Sequence, residues 1–191
     1  MSVMGFATLP ASAADGVAND VSAQVVGDIT VSERYHEGTV YIWEMLDATV
    51  TLDSRTVTPE SDPANAVDDG DWFVVTFPDI LSVPNATFQL QDNGVTLAEC
   101  VATPASGDAA GQVLCTFNAE AAARQYVTGS LKVSTQANTL TDQDTFQIGV
   151  GNDPVVYRDI PLPGGAIVPG DRGGLPGNFE KYGWQSVTQP R

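Results

Sequence analysis

Cys100 and Cys115 are the two cysteines of the chain. Suppose the runs at 95–102 and 112–117 pair antiparallel across the loop 103–111. Cys100 then faces Cys115, Ala98 faces Phe117 and Ala102 faces Val113, because side chains alternate between the two faces of a strand. All six share one apolar face, a setting that suits a buried disulfide between neighbouring strands. Closing a loop of about 15 residues contributes roughly 3 kcal/mol in the chain-entropy account. The alternative is a pair of buried thiols, which a cytosolic chain would keep. A zinc site wants four ligands, so two cysteines alone do not make one.

Carboxylates are the other chemistry on offer. Asp62, Asp68, Asp69 and Asp71 fall within or beside one loop and could gather around calcium, since a hard cation takes several oxygens. Asp68, Asp69 and Asp71 are the tightest such set. Their spacing departs from the EF-hand pattern, and a solvated acidic loop is the simpler reading; no metal or other cofactor is required. Asp142 and Asp144 form a sparser pair. Hydrolysis by a carboxylate pair needs two acids with contrasting surroundings, and no pair is marked in that way. His36 is the sole histidine, which excludes a multi-His metal site and argues against a His-based triad. Between Tyr35 and Glu37 it reads as an exposed polar residue near a turn. Asn85-Ala86-Thr87 matches a glycosylation sequon by chance composition. These residues do not point to an enzyme.

Charge narrows the partners. The 191 residues include 24 Asp plus Glu against 8 Lys plus Arg, a formal charge of −16. Nucleic acid is excluded, because a phosphate backbone needs a basic patch that so few cations cannot build. An anionic membrane surface is disfavoured for the same reason. No apolar run approaches the length needed to cross a bilayer as a helix.

The elements that position these residues read as strands. Val and Thr are plentiful, with 18 Gly and 12 Pro, a composition suited to β structure. A β-like run covers 25–31, and Glu37-Gly38 marks a turn. The β-branched and aromatic stretch 39–52 holds one bent strand or two short ones. A loop at 56–70 carries Pro59 and Pro63. In 71–77, Phe73, Val75 and Phe77 share a side, and Pro78 ends the run. Strands at 86–91 and 95–101 are joined by Asp92-Asn93-Gly94, a strong hairpin signal because both central turn residues accept positive φ. Further strands are expected at 113–117, 126–135, 145–150 and 155–160, with a helical turn at 119–125. This spacing predicts an all-β antiparallel sandwich.

The two ends differ in kind. Ala11-Ser12-Ala13 has the small-residue pattern of a signal-peptidase site, so residues 1–20 read as a signal-peptide remnant or disordered tail outside the fold. The sandwich is expected over 21–160. Residues 160–177 contain four prolines and six glycines, a linker or strap in which no regular ladder is expected. The aromatic run 178–184 reads as the start of a second domain, so 161–191 is expected to be linker plus that start.

The order of these features resembles the paired Ig-like domains of Gram-positive cell-wall adhesins, the clumping-factor and serine–aspartate-repeat type. The carrying motifs are Asp69-Gly70-Asp71-Trp72-Phe73-Val74-Val75-Thr76-Phe77-Pro78, Phe88-Gln89-Leu90-Gln91-Asp92, Leu114-Cys115-Thr116-Phe117-Asn118, Val127-Thr128-Gly129-Ser130-Leu131-Lys132-Val133 and Lys181-Tyr182-Gly183-Trp184. The resemblance spans residues 25–184. It implies an Ig-like sandwich that is secreted or held at the cell wall, and that takes an extended peptide of fibrinogen or another matrix protein by β-strand addition. It also implies an adjacent Ig-like domain, whose latch strand would insert beside Cys115, Thr116, Phe117 and Asn118. Ala119-Glu120-Ala121-Ala122 stand where the family continues Asp-Tyr-Val-Asp. Related domains form Lys isopeptide bonds, but Lys132 shares its parity with Thr128, Ser130 and Ser134 and belongs on the polar face. The competing function is a structural stalk or spacer with no ligand of its own.

Overall fold

Apolar residues at every second position of 71–77 demand a partner surface, and the molecule supplies it as two stacked sheets. The computed structural model describes residues 18–35, 38–56 and 64–170. His36, Asp62, the signal-like segment 1–17 and the aromatic run 178–184 lie outside the described residues. In chain order, a helical turn α1 (Ser22–Val25) leads into β1 (Val26–Glu33), β2 (Val40–Tyr41) and β3 (Met45–Asp53). Then come β4 (Arg55–Thr56), β5 (Ala64–Asn65), β6 (Trp72–Phe77) and β7 (Leu81–Ser82). The hairpin β8 (Ala86–Asp92) and β9 (Val95–Thr103) is followed by β10 (Gly111–Phe117) and α2 (Ala119–Ala122). Last are β11 (Thr128–Ala137), β12 (Thr145–Val150), β13 (Val156–Pro161), a 3₁₀ turn (Pro163–Gly165) and β14 (Ile167–Val168).

One sheet has the order β13-β12-β6-β10-β9-β8 and the other β1-β3-β11-β7. Every pairing within these two sheets is antiparallel. The core lies between them. Phe73, Val75, Phe77, Val113 and Phe117 of the larger sheet face Leu46, Val50, Leu131 and Val133 of the smaller, and all are buried. This is the expected all-β antiparallel sandwich.

The β8–β9 turn confirms its local signal, with Asn93 at φ 50° and Gly94 at φ 81°. The stretch 39–52 resolves into two strands. Trp43 breaks it with a left-handed φ of 72°, a conformation that costs an L-residue roughly 1–2 kcal/mol.

Two expectations at the ends are corrected. Asn19 and Asp20 join the fold: the carbonyl of Asn19 accepts from the Trp72 amide at 2.9 Å, and Asp20 bridges to Trp72. A short ladder also forms within the Pro/Gly-rich strap, where β14 pairs in parallel with β2. Ile167 and Leu162 are buried, and that apolar burial outweighs the poor local propensity. Gly164, at φ 71°, makes the approach possible, since a Cβ there would stand 2.9 Å from the Gly38 carbonyl oxygen.

Candidate functional site

The register around the disulfide is the one the sequence implies. Cys100 pairs with Cys115, Ala98 with Phe117 and Ala102 with Val113. The two sulfurs are bonded at 2.05 Å, and all six residues are buried. Phe117 meets Phe73 with ring centroids 5.6 Å apart.

The same register corrects the placement of an inserting strand beside Thr116, Phe117 and Asn118. β10 is an interior strand. It pairs with β6 from Gly111 to Thr116 and with β9 from Gln112 to Phe117, so Thr116 lies between Trp72 and Glu99. Asn118 ends the strand. Its side-chain oxygen accepts from the amides of Glu120 and Ala121 at 3.1 and 3.2 Å, and its Nδ2 donates to the Thr96 carbonyl at 2.9 Å. This N-cap turns Ala119-Glu120-Ala121-Ala122 into a helical turn where the resembled family continues extended.

A free edge exists elsewhere. β7 pairs with β11 through Gln136–Ser82 and Ala137–Leu81 alone. Two residues later comes Pro84, which has no amide hydrogen to continue the ladder. The chain then crosses to the other sheet as β8, where it pairs with β9. Among the described residues, β11 is therefore left without a neighbour from Thr128 to Thr135 on the side away from β3. Parity shows which groups it offers. The Ala137 amide donates to Glu44 on the β3 side, and the Asn138 amide donates to Ile80 on the β7 side. Thr128, Ser130, Lys132 and Ser134 thus turn their N–H and C=O groups toward the vacated position.

β8 is the edge strand of the opposite sheet, and a groove of about 370 Å³ runs between it and β11. Leu52, Leu97, Phe117 and Leu131 line its floor, with half-buried Phe88 and Leu90 on the β8 wall. Lys132 and Asp92 also line it. The other side of the sandwich is closed: Arg158 on β13 donates through Nη1 to the Gly27 carbonyl and through Nη2 to that of Val26, at 2.8 Å in the second case.

On the outer surface of the smaller sheet, Asp47 accepts from Arg34 and meets Lys132 Nζ at 2.8 Å. The Arg34 hydrogen bond, more than that from Lys132, holds this carboxyl below the ordinary carboxylate range against the opposing effect of burial, and Asp47 raises Arg34 in return. Lys132 therefore sits on the polar face as its parity predicts. Asp53, bound by Arg55, is lowered likewise.

Among the described residues, no three His, Cys, Asp or Glu side chains gather as metal ligands, so Asp68, Asp69 and Asp71 do not form such a set. Asp71 is buried and serves the backbone instead. One oxygen accepts from the Asn19 amide at 2.8 Å and the other from the Asp68 amide at 2.9 Å, while Asp68 and Asp69 are exposed. The β11 edge was not legible as a site beforehand. Pro84, just past the run 81–83, was its available sign.

Residues 46–145, more than half of the chain, match the family model described as a bacterial Ig domain. Among solved structures, the collagen adhesin of S. aureus is similar, with a TM-score of 0.56 and 21% sequence identity. The likeness covers 76% of this chain and 45% of that one, so this chain spans less than half the length of its structural relative. At that identity the likeness carries the fold, an Ig-like sandwich. No curated protein matches the sequence.

Proposed function

The chain belongs to the bacterial Ig domain family, and from that premise we propose that it is a secreted or cell-surface adhesin module that captures an extended peptide of a matrix or partner protein. The peptide adds as a strand to β11 between Thr128 and Ser134. The observation that carries this is the vacated edge itself: four consecutive outward-facing N–H and C=O pairs stand beside a groove with an apolar floor and a polar rim. Main-chain bonds to that edge supply affinity, and alternate side chains of the peptide entering the groove supply selectivity. A spacer would be expected to block such an edge. The net charge of −16 favours neutral or cationic segments over acidic ones. The collagen adhesin relative makes collagen, beside fibrinogen, a first ligand to try.

Ser130→Pro is the discriminating variant. It removes an amide hydrogen that faces the vacancy and leaves the bonds to β3 intact, the one arrangement in which a strand tolerates proline. With fibrinogen and collagen immobilised on sensor surfaces, the native chain should bind at least one, and Ser130→Pro should abolish that binding. Amide hydrogen exchange at Thr128, Lys132 and Ser134 should slow on adding the bound protein. Binding that survives the substitution without such protection overturns the site. A chain that binds neither protein is read as the spacer.

A further inference from the structure

The outer face of the six-stranded sheet is unlike the rest of the surface. Its inward residues alternate with Trp72, Val74 and Thr76 on β6 and Gln112, Leu114 and Thr116 on β10. Register places Leu114 between Val74 and Val101, and Thr116 between Trp72 and Glu99. Trp72, Val74 and Leu114, with Gln112, Thr116 and Asn152, line a shallow cavity of about 250 Å³.

A second ring stands on the same face. Tyr157, 62% exposed, pairs with Gly149, which pairs in turn with Thr76 beside Gln112. The Tyr157 ring edge lies 3.6 Å from the position a Gly149 Cβ would take, and Val155 would be only 2.9 Å from it. Glycine therefore lets the ring lean over the strand. Strand spacing sets the Trp72 and Tyr157 backbones roughly 17 Å apart; Thr76 stands beside Gly149 on the same face, with Gln112 one strand further on.

Charge is depleted here. On β12, β6, β10 and β9 the one charged residue is Glu99, although 17% of the chain is charged. Glu99 accepts from Gln89 Nε2 at 2.7 Å, and Asp159 on the flanking β13 accepts from Gln147 Nε2 at 3.0 Å. Each carboxylate keeps its charge and also orients an amide.

We propose that this face is a second binding site, and that it takes a neutral polysaccharide. Sugar rings present an apolar face to an aromatic ring and a hydroxyl rim to amides and hydroxyls, which both donate and accept. An anionic polymer would find no counterion on β12, β6, β10 and β9, and a cationic one would find Glu99 alone. A protein partner could use Trp72 and Tyr157 as anchors, but it would find no Arg on those strands and would have to match the surrounding amides one by one. The site is separate from the β11 edge, which belongs to the other sheet.

The test uses the whole chain in native gels cast with hydroxyethylcellulose, xylan or galactomannan. Migration should be retarded in at least one. Tyr157→Ala should weaken the retardation about tenfold, and Gln112→Ala should weaken it too, both with unchanged melting temperature. In a Trp43→Phe/Trp184→Phe background, where Trp72 is the remaining tryptophan, the retarding polysaccharide should shift the emission to the blue. Absence of retardation in all three gels overturns the proposal, as does retardation that both single substitutions leave untouched. A dimer seen by sedimentation and dissolved by Tyr157→Ala overturns it as well, making the face a self-association surface.

Discussion

Arg158 reaches from β13 to the carbonyl of Gly27 on β1, so one side chain ties an edge of the six-stranded sheet to an edge of the four-stranded sheet. The opposite pair of edges, β8 and β11, has a groove where this side has a clamp. The sandwich is thus closed on one side and open on the other, and the open side is where we propose strand addition.

Arg158→Ala should lower stability by about 1.5–3 kcal/mol, the range for hydrogen bonds to a charged group. Two carbonyls lose their donor, one of them on buried Val26. Arg158→Lys should recover part of the loss, because a single ammonium does not reproduce the guanidinium fork. The midpoint of urea unfolding measures this, and equal midpoints for all three proteins would show the clamp to be ornamental.

Phe117→Ala should cost roughly 3–5 kcal/mol, the usual figure for emptying a large aromatic site in a core. The ring is 2% exposed and packs on Phe73, and the backbone around it is held between two strands and cannot collapse into the space. The substitution should also widen the groove between β8 and β11, whose floor Phe117 forms in part. A stability change below that of an ordinary surface substitution would mean that β10 is misplaced.

Reduction of Cys100–Cys115 should lower the melting temperature, with roughly 3 kcal/mol at stake for a loop of this length. The bridge is buried, so the native protein should resist mild reductant and yield once partly unfolded. Thiol titration of the native protein should find no free sulfhydryl; two free groups would remove the bridge from the fold.

What the sequence disclosed was local. Asn93-Gly94 announced its turn, because few residues tolerate positive φ in succession. Cys100 and Cys115 suggested a register, because pairing them puts Ala98, Phe117, Ala102 and Val113 on the same apolar face. The strands at 145–150 and 155–160 were bounded by recognisable breakers. What stayed hidden depends on which strand lies beside which. Nothing local to Thr116 tells that β10 is interior on both edges. Nothing near Ser130 tells that, among the described residues, β11 is left uncovered after Pro84, since that follows from a crossover between sheets. Ile167 was hidden for another reason: glycines and prolines around it lower every local propensity, and only burial beneath the fold makes up for them. The adhesin resemblance pointed to strand addition, while the free edge had to come from the topology.

Asp47 makes stability depend on pH in a direction that can be worked out. The Arg34 hydrogen bond, aided by Lys132, keeps its folded pKa below the ordinary carboxylate value that the unfolded chain has. The unfolded state therefore takes up the proton first as pH falls. The stabilisation is complete above about pH 4 and is lost progressively as pH drops through the lowered folded value. Asp47→Asn should cost about 1–2 kcal/mol at neutral pH, a figure kept small because Lys132 is 62% exposed and its share is screened. Below the folded pKa the native protein should converge on the variant, since both then carry an uncharged group at position 47. Asp53, lowered by Arg55, is present in both proteins and so cancels from the difference. Chemical denaturation repeated from pH 7 down to about pH 2 reads the gap between the two curves. A gap that stays constant across that window would mean that Asp47 titrates alike in the folded and unfolded chain, and that its two cations contribute nothing through charge.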